Sequence, residues 1–550
     1  MTWPSIREFL RIPQELTGKD VSIAIVDGRF PNHPDIATNA RRKTYIVKLS
    51  ESIPQPNLMI ADDGPWNKGL HGLSTAAAAA GSGHLSKMHY TGTAPDANLY
   101  LIETGRLNTV HEIENAYVAA LNWLLQNWRS YHIRGVVLTI ASTRDTGLLP
   151  WQADPIRVKC EQLAQEGVLV VVASGNTMEL TCSGPASSPS VLSVGGVIIP
   201  ENGVIKDTEP YHGCRGKTFE GKWIPEILAP AENVVLPMPF QSSEEKNNHF
   251  TASNDNLPED YARTEGTSFA APIILGCVAC IWQVHPDWSA NQVKSAILGS
   301  SIQNGNWSSL NAGLIDVAAA ISMKPPNKDS HVQPYSIWKE WKSKDVSTHL
   351  NAMNDSNEGV VVAALLSLHD GQLPDVIEAQ LISLLKHRSM KIRTAVIIAF
   401  SSYPDRIPYG DLLQLLHDED SYVRMAALFT LSHRSELWNE KPYEMIRLFQ
   451  DSDLNLQYCA VTLASFLKIQ NFIEPLISGL YDDAKNNRVS IFGARCNALE
   501  AITGVAFDPI PEWREGQCFY SDLSRQARLH IAQMWNQANH GEKGSNINWC

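Results

Sequence analysis

No uncharged apolar run in this chain reaches the ~18–20 residues that an α-helix needs to cross a bilayer, so membrane insertion is not expected. The opening residues, Met1-Thr2-Trp3-Pro4-Ser5-Ile6-Arg7-Glu8, have neither the basic stretch nor the apolar core of an export leader. The expected location is therefore cytoplasmic. A cationic surplus is missing as well: 45 Lys and Arg stand against 58 Asp and Glu, a net charge of −13. A protein that tracks phosphates needs a basic face, so nucleic acid is not an expected partner. Cysteine is sparse, odd in number and scattered, nine in 550 residues. That argues against a disulfide scaffold and for reduced thiols packed in the core. Cys277 and Cys280 share a C-x-x-C spacing, but they lie in an apolar helical run and are read as packing.

What is present suffices for real cores, with 44% hydrophobic and 19% charged residues. Up to about residue 321, short β-branched runs alternate with helical stretches. The strand candidates are Val21–Val26, Asn98–Ile102, Gly135–Ile140, Val168–Ala173 and Val191–Gly195. Continuous apolar strands separated by helices predict an α/β domain, a doubly wound and mostly parallel sheet covered on both faces. Ligands of such sheets bind at the carboxyl ends of the strands. Residues 324–336 are rich in linker residues, and beyond them the strand runs vanish.

The second half repeats itself. Val361, Ile392, Val423 and Leu456 are equivalent positions, 31, 31 and 33 residues apart. Arg393 and Arg424 recur beside the apolar position, and Asp418–Asp420 and Asp451–Asp453 each precede a second helix. Such a period predicts paired helices stacked into an all-α solenoid, with units that resemble HEAT repeats. The expected organisation is an α/β domain over 1–322, a linker over 323–337, a HEAT-like solenoid over 338–540 and a disordered tail over 541–550.

Four segments of the first half carry candidate chemistry. Val21–Val26 ends in Asp27-Gly28, which places a carboxylate at the sheet's carboxyl edge. His71 opens a helix that runs into Ala76–Ala80. Val168–Ala173 is followed by Ser174-Gly175-Asn176, whose amide can serve as a hydrogen-bond donor to a developing oxyanion. Gly266-Thr267-Ser268-Phe269-Ala270-Ala271-Pro272 starts an apolar helix, where a serine nucleophile would gain the helix dipole and nearby backbone N–H groups. Each has an ordinary structural explanation when taken alone: a strand-end cap, an incidental histidine, a turn asparagine, an N-cap serine.

Together these segments resemble the subtilisin-like serine proteases, the S8 or subtilase family. The Gly-Thr-Ser-Phe-Ala-Ala-Pro string is the most specific match, and the order Asp, His, Ser is that family's order. Leu16-Thr17-Gly18-Lys19-Asp20, His33-Pro34-Asp35-Ile36, Gly92–Asn98, Ser188–Gly195, Glu226–Pro230 and Asn311–Asp316 are similar to further family segments. The resemblance implies Ser268 as nucleophile, His71 as general base and Asp27 as the residue that orients it. It implies an oxyanion hole from the Asn176 side chain and the Ser268 N–H. It also implies a substrate-binding strand and pocket at Ala141, Ser142, Thr143 and Gly175. Three departures stand out: Gly28-Arg29 after the aspartate, Leu70 and Leu73-Ser74 around the histidine, and Ala141–Arg144 in the substrate strand.

No cofactor is required by this chemistry. Calcium stabilises many relatives, but Asp62-Asp63 is no clear metal site and is read as a solvated loop. The implied partners are a protein or peptide substrate and a regulatory protein bound by the repeats. The implied activity is an intracellular serine endopeptidase with one or few substrates, recruited or gated by the solenoid, in a setting such as bacterial defence or cell death. Peptide maturation, including transpeptidation, and an inactive binding scaffold are the alternatives.

Overall fold

The computed structural model describes residues 3–66, 68–105, 110–139, 146–182, 184–239, 257–324, 333–371, 373–403, 406, 409–432, 434–507 and 523–540. The chain divides into two compact units. The first comprises Met1–Ser142 with Asp154–Ile337, and the second Thr143–Ala153 with Trp338–Cys550.

The first unit is built on one sheet. Its central strands are β1 (Ser22–Asp27), β2 (Thr44–Lys48), β4 (Asn98–Glu103), β5 (Ile133–Leu138), β6 (Leu169–Ala173) and β7 (Leu192–Ile198). With β3 (Asn57–Leu58), β11 (Ile227–Pro237) and β12 (Tyr261–Glu265) they run in the order β12-β11-β7-β6-β5-β1-β4-β2-β3. Pairings from β2 through β11 are parallel, and the edge pairs β2–β3 and β11–β12 are antiparallel. β8 (Glu209–Pro210) and β13 (Gly313–Leu314) add short pairings, and β9 (Gly216–Lys217) with β10 (Trp223–Ile224) form a separate ribbon.

Strand residues alternate between two buried faces. Ile23, Ile25, Val137, Val171 and Val194 join one core with Leu73, Ala76–Ala80 and Ile273–Trp282. Ala24, Val26, Leu138, Val170 and Val172 join the other with Tyr117, Leu121, Leu124, Cys160 and Leu163. Burial on both sides is why these strands are apolar throughout.

Helices α1 (Ile6–Phe9), α2 (Leu70–Ala80), α3 (Val110–Asn127), α4 (Pro155–Gln165) and α5 (Thr267–Val284) belong to this unit. Small residues let α2 and α5 cross closely: a Cβ on Gly276 would lie 1.9 Å from Thr93 Oγ1 and 2.5 Å from Ala79 O. The expectation that no run is long and apolar enough to span a membrane needs correction at α5. Its 18 residues meet that test by length and hydropathy. They are apolar for another reason: 83% of the helix is buried, and it forms the middle of one core.

In the second unit, helices Glu358–Ser367, Met390–Ser401, Ser421–Leu431, Leu454–Leu467 and Val489–Thr503 pack one upon the next. Asp375–Leu384, Tyr409–Leu415, Pro442–Leu448 and Ile473–Lys485 intervene and complete the pairs. A repeated ion pair ties successive pairs together. Arg393 makes two bonds to the Asp418 carboxylate (2.9 and 2.7 Å) and donates to His387 O and Arg388 O. Arg424 does the same to Asp451 (2.9 and 2.6 Å), Asp418 O and Glu419 O. In the next helix Gln457 keeps the bond to the carbonyl six residues back, Asp451 O, without the charge.

Thr143–Ala153 also belongs to this second unit. Within it Trp151 lies edge to face on Trp338, centroids 5.3 Å apart, and Leu148, Leu149 and Ala153 are buried.

Candidate active site

The carboxyl ends of β1, β5 and β6 meet the amino ends of α2 and α5, and the predicted residues are placed there by local chemistry. Asp27 closes β1 and is 2% exposed. His71 sits in the first turn of α2, which begins after Gly69 at φ 79°. Gly72 lets this turn press on the chain following β1: a Cβ there would come within 2.1 Å of Arg29 O. Gly69 and Gly72 thus explain how His71 reaches the end of β1.

His71 Nδ1 lies 3.0 and 2.9 Å from the two carboxylate oxygens of Asp27. With Nδ1–H donating, Nε2 is left to act as base on the opposite side of the ring. Burial pushes the Asp27 carboxyl up, but the His71 charge and the bonds from His71, Thr139 and Gly28 outweigh it and hold the group below its ordinary value. Burial depresses His71, while the Asp27 charge and hydrogen bond raise it, and the net shift is upward. An imidazolium at this position is therefore stabilised by the Asp27 carboxylate.

Ser268 is the second residue of α5, whose N-cap is Gly266 at φ 136°. Its N–H is among the first of the helix, which have no partner four residues back. Its hydroxyl donates to Thr139 O at 3.0 Å. Among the described residues no hydrogen bond joins it to His71. A free enzyme commonly tightens that bond only when substrate arrives.

Asn176 follows β6 and the turn at Gly175 (φ 110°). Its Oδ1 accepts from both the N–H (2.9 Å) and the hydroxyl (2.7 Å) of Thr267. Two donors on one atom identify it as the oxygen, so Nδ2 is the atom left to donate. The Gly175 N–H donates to Thr267 Oγ1 (3.1 Å), and its carbonyl accepts from the Cys214 N–H (3.0 Å). Gly175 thus ties the loop to the helix that carries Ser268.

Asp27, His71, Asn176 and Ser268 are brought to one edge of the sheet. Ala141, Ser142 and Thr143, expected to bind substrate, lie outside the described residues. Three further threonines were not picked out from the sequence. Thr267 stands inside the Gly-Thr-Ser string and anchors Asn176. Thr75 and Thr139 both donate to Asp27 Oδ2, at 3.0 and 2.8 Å. Their signal was faint: a threonine one turn beyond His71, and one just past a β-strand where threonine is common anyway.

Asp62, weighed as a metal ligand, accepts from the Gly64 N–H, Trp66 Nε1 and Asn32 Nδ2, and so organises its own loop. Among the described residues no group of three or more His, Cys, Asp or Glu could hold a metal ion.

A parallel α/β sheet with an Asp–His pair, a helix-borne serine and a clamped asparagine at its carboxyl edge is the architecture of a subtilisin-like catalytic domain. The chain belongs to the subtilase family, whose model, Peptidase_S8, matches residues 18–330. It is 28% identical over 301 residues to the serine protease AprX of Bacillus subtilis, covering 53% of this chain and 63% of that protein. It is 25% identical over 305 residues to subtilisin BL of Lederbergia lenta, covering 56% of this chain and 92% of that one. Among solved structures, fervidolysin from Fervidobacterium pennivorans aligns with a TM-score of 0.43 and 18% identity, over 58% of this chain and 46% of that one. The chain thus spans less than two thirds of the length of AprX.

Proposed function

We propose that this protein is a serine endopeptidase that cleaves peptide bonds through an acyl-enzyme, with Ser268 as nucleophile, His71 as general acid and base, and Asp27 as its orienting anion. The observation that carries this reading is the two-point contact of His71 Nδ1 with buried Asp27, at the edge where Ser268 begins its helix. As the acyl bond forms, the seryl proton passes to His71 Nε2. The negative charge on the substrate oxygen falls to Asn176 Nδ2 and the Ser268 N–H. The same ring then returns the proton to the departing amine.

The finer reading is a protease restricted to one or few protein substrates, with the HEAT-like unit recruiting substrate or gating the site. Its support is the chain path. Thr139, whose carbonyl holds the Ser268 hydroxyl, stands a few residues before a stretch of the helical unit in which Trp151 packs on Trp338. The free, buried thiols of Cys160, Cys277 and Cys280 suit a reducing, cytoplasmic setting. Restraint of this kind fits a protease used on demand, as in a defence or cell-death pathway.

The test is labelling of the full-length protein with a fluorophosphonate probe, with Ser268→Ala as control. Labelling that depends on Ser268, together with peptidase activity that falls to background in the folded Ser268→Ala variant, is the expected result. Cleavage that survives the substitution removes Ser268 from the role.

A further inference from the structure

Asp27 is a charged carboxylate sealed from water, and four donors hold it so. Oδ1 accepts from the Gly28 N–H at 2.7 Å, His71 Nδ1 lies against both oxygens, and Oδ2 accepts from the hydroxyls of Thr75 and Thr139. The two threonines come from different elements. Thr75 lies four residues beyond His71 on α2, so one helical face presents both the ring and a hydroxyl to the same carboxylate. Thr139 follows β5, whose Leu138 pairs with Val26 of β1, which puts it beside Asp27. Both are buried, at 0% and 4% exposure, and β-branched side chains are stiff at χ1.

Each hydroxyl has one proton and two acceptors in reach. For Thr75 the alternative is Gly72 O at 3.0 Å, and for Thr139 it is Val26 O at 3.2 Å. A charged acceptor makes the stronger bond, so both protons go to Asp27. His71 is the leading charged influence on Asp27, and Asp27 is the leading charged influence on His71. Glu103, opposite Asp27 in the β1–β4 register, accepts from the Phe30 N–H.

We propose that Thr75 and Thr139 are positioning residues of the catalytic pair: they fix Asp27 Oδ2 and spread its charge, which sets how tightly His71 holds its proton. The proposal rests on the serine peptidase reading for the roles of Asp27 and His71. Losing one hydroxyl concentrates charge on Oδ2 and strengthens its pull on the Nδ1–H. The imidazolium becomes harder to deprotonate and a weaker acid toward the leaving amine.

The test uses the full chain with Thr75→Val and Thr139→Val, which keep side-chain volume, and Thr75→Ser and Thr139→Ser, which restore the hydroxyl. Two quantities are measured: the His71 ring titration by NMR, which needs no turnover, and the pH profile of kcat/KM. Each valine variant is expected to move the His71 titration and the acid limb upward by about half a pH unit or more. It should also lower kcat about tenfold with KM within roughly twofold. Each serine variant should return both toward wild type.

An unmoved titration in the valine variants overturns the proposal, whether or not activity falls, and so do serine variants as impaired as the valine ones. Should a valine variant fail to fold, the other site gives the same reading independently. A ring titration that shifts in a protein without turnover would overturn the peptidase reading while upholding the positioning role.

Discussion

Asn176 is held by its carbonyl, and that fixes what its amide can do. With Oδ1 occupied twice by Thr267, rotation about the side chain would break two bonds, so Nδ2 is aimed before substrate binds. A preorganised donor acts on charge that develops in the transition state and little on the neutral carbonyl of the ground state. Asn176→Ala is therefore expected to lower kcat by about 100–1,000-fold with little change in KM. Steady-state kinetics on a peptide substrate check this, and a large rise in KM at constant kcat would assign the residue to ground-state binding. The His71–Asp27 pair gives a second expectation at this scale. The base must be neutral to accept the seryl proton, and its pKa is raised above the ordinary 6.5. Protonation therefore disables it at a higher pH than it would a free imidazole. The acid limb of kcat/KM should lie above pH 6.5, and a limb at or below that value would mean the pair is not formed in the free enzyme.

The elements of the second unit are tied by charge as well as by packing, and the repeat shows where that tie weakens. Arg424 and Asp451 are 9% and 8% exposed at the side chain, so removing one partner strands the other in a poorly hydrated place. Arg424→Ala is expected to cost about 3–5 kcal/mol of unfolding free energy. Gln457 stands where the ladder has already lost its cation, and Gln457→Ala should cost less, about 1 kcal/mol. Chemical denaturation followed by helical circular dichroism compares the two, and equal losses would show that the charge adds nothing beyond the hydrogen bond.

At this scale much of the structure was legible in advance. Apolar strands divided by helices require a covered parallel sheet, and a period of 31 to 33 residues requires stacked helix pairs. The recurrence of Arg393 and Arg424, and separately that of Asp418–Asp420 and Asp451–Asp453, was visible as spacing, although the ion pairs between them were not. Asp27, His71, Asn176 and Ser268 could be picked out because each stands at the end of an element and because the Gly-Thr-Ser-Phe-Ala-Ala-Pro string and the order Asp, His, Ser resemble the subtilases. Thr75 and Thr139 could not, because their meaning lies in a carboxylate that only the register of β1 with β5 and the pitch of α2 bring to them. The apolarity of α5 was legible as composition, but its cause, burial between sheet and helices, belongs to the fold.

At the scale of the whole molecule the decisive fact is that the two units are not divided by one cut in the chain. Thr143–Ala153 is surrounded by chain of the first unit in sequence and is part of the second unit in the fold. A break at residue 323 would therefore leave Leu148, Leu149 and Trp151 in a fragment that lacks Trp338, on which Trp151 packs. Apolar side chains deprived of cover sample open conformations, and backbone near them becomes accessible to proteases. Under the proposed gating role the link is the chain itself, because Thr139, a few residues upstream, bonds both Asp27 and Ser268. Trp338→Ala, made in the full chain far from the triad in sequence, should loosen the stretch around Trp151 and speed chymotryptic cleavage between Leu148 and Trp151. It should also lower kcat/KM about fivefold, roughly 1 kcal/mol in transition-state stabilisation. Faster cleavage with unchanged kcat/KM would separate the helical unit from catalysis and leave it the role of substrate recruitment alone. Faster cleavage and a lower kcat/KM together, with the Ser268-dependent probe labelling slowed in proportion, would support the proposed gating of the site by the helical unit.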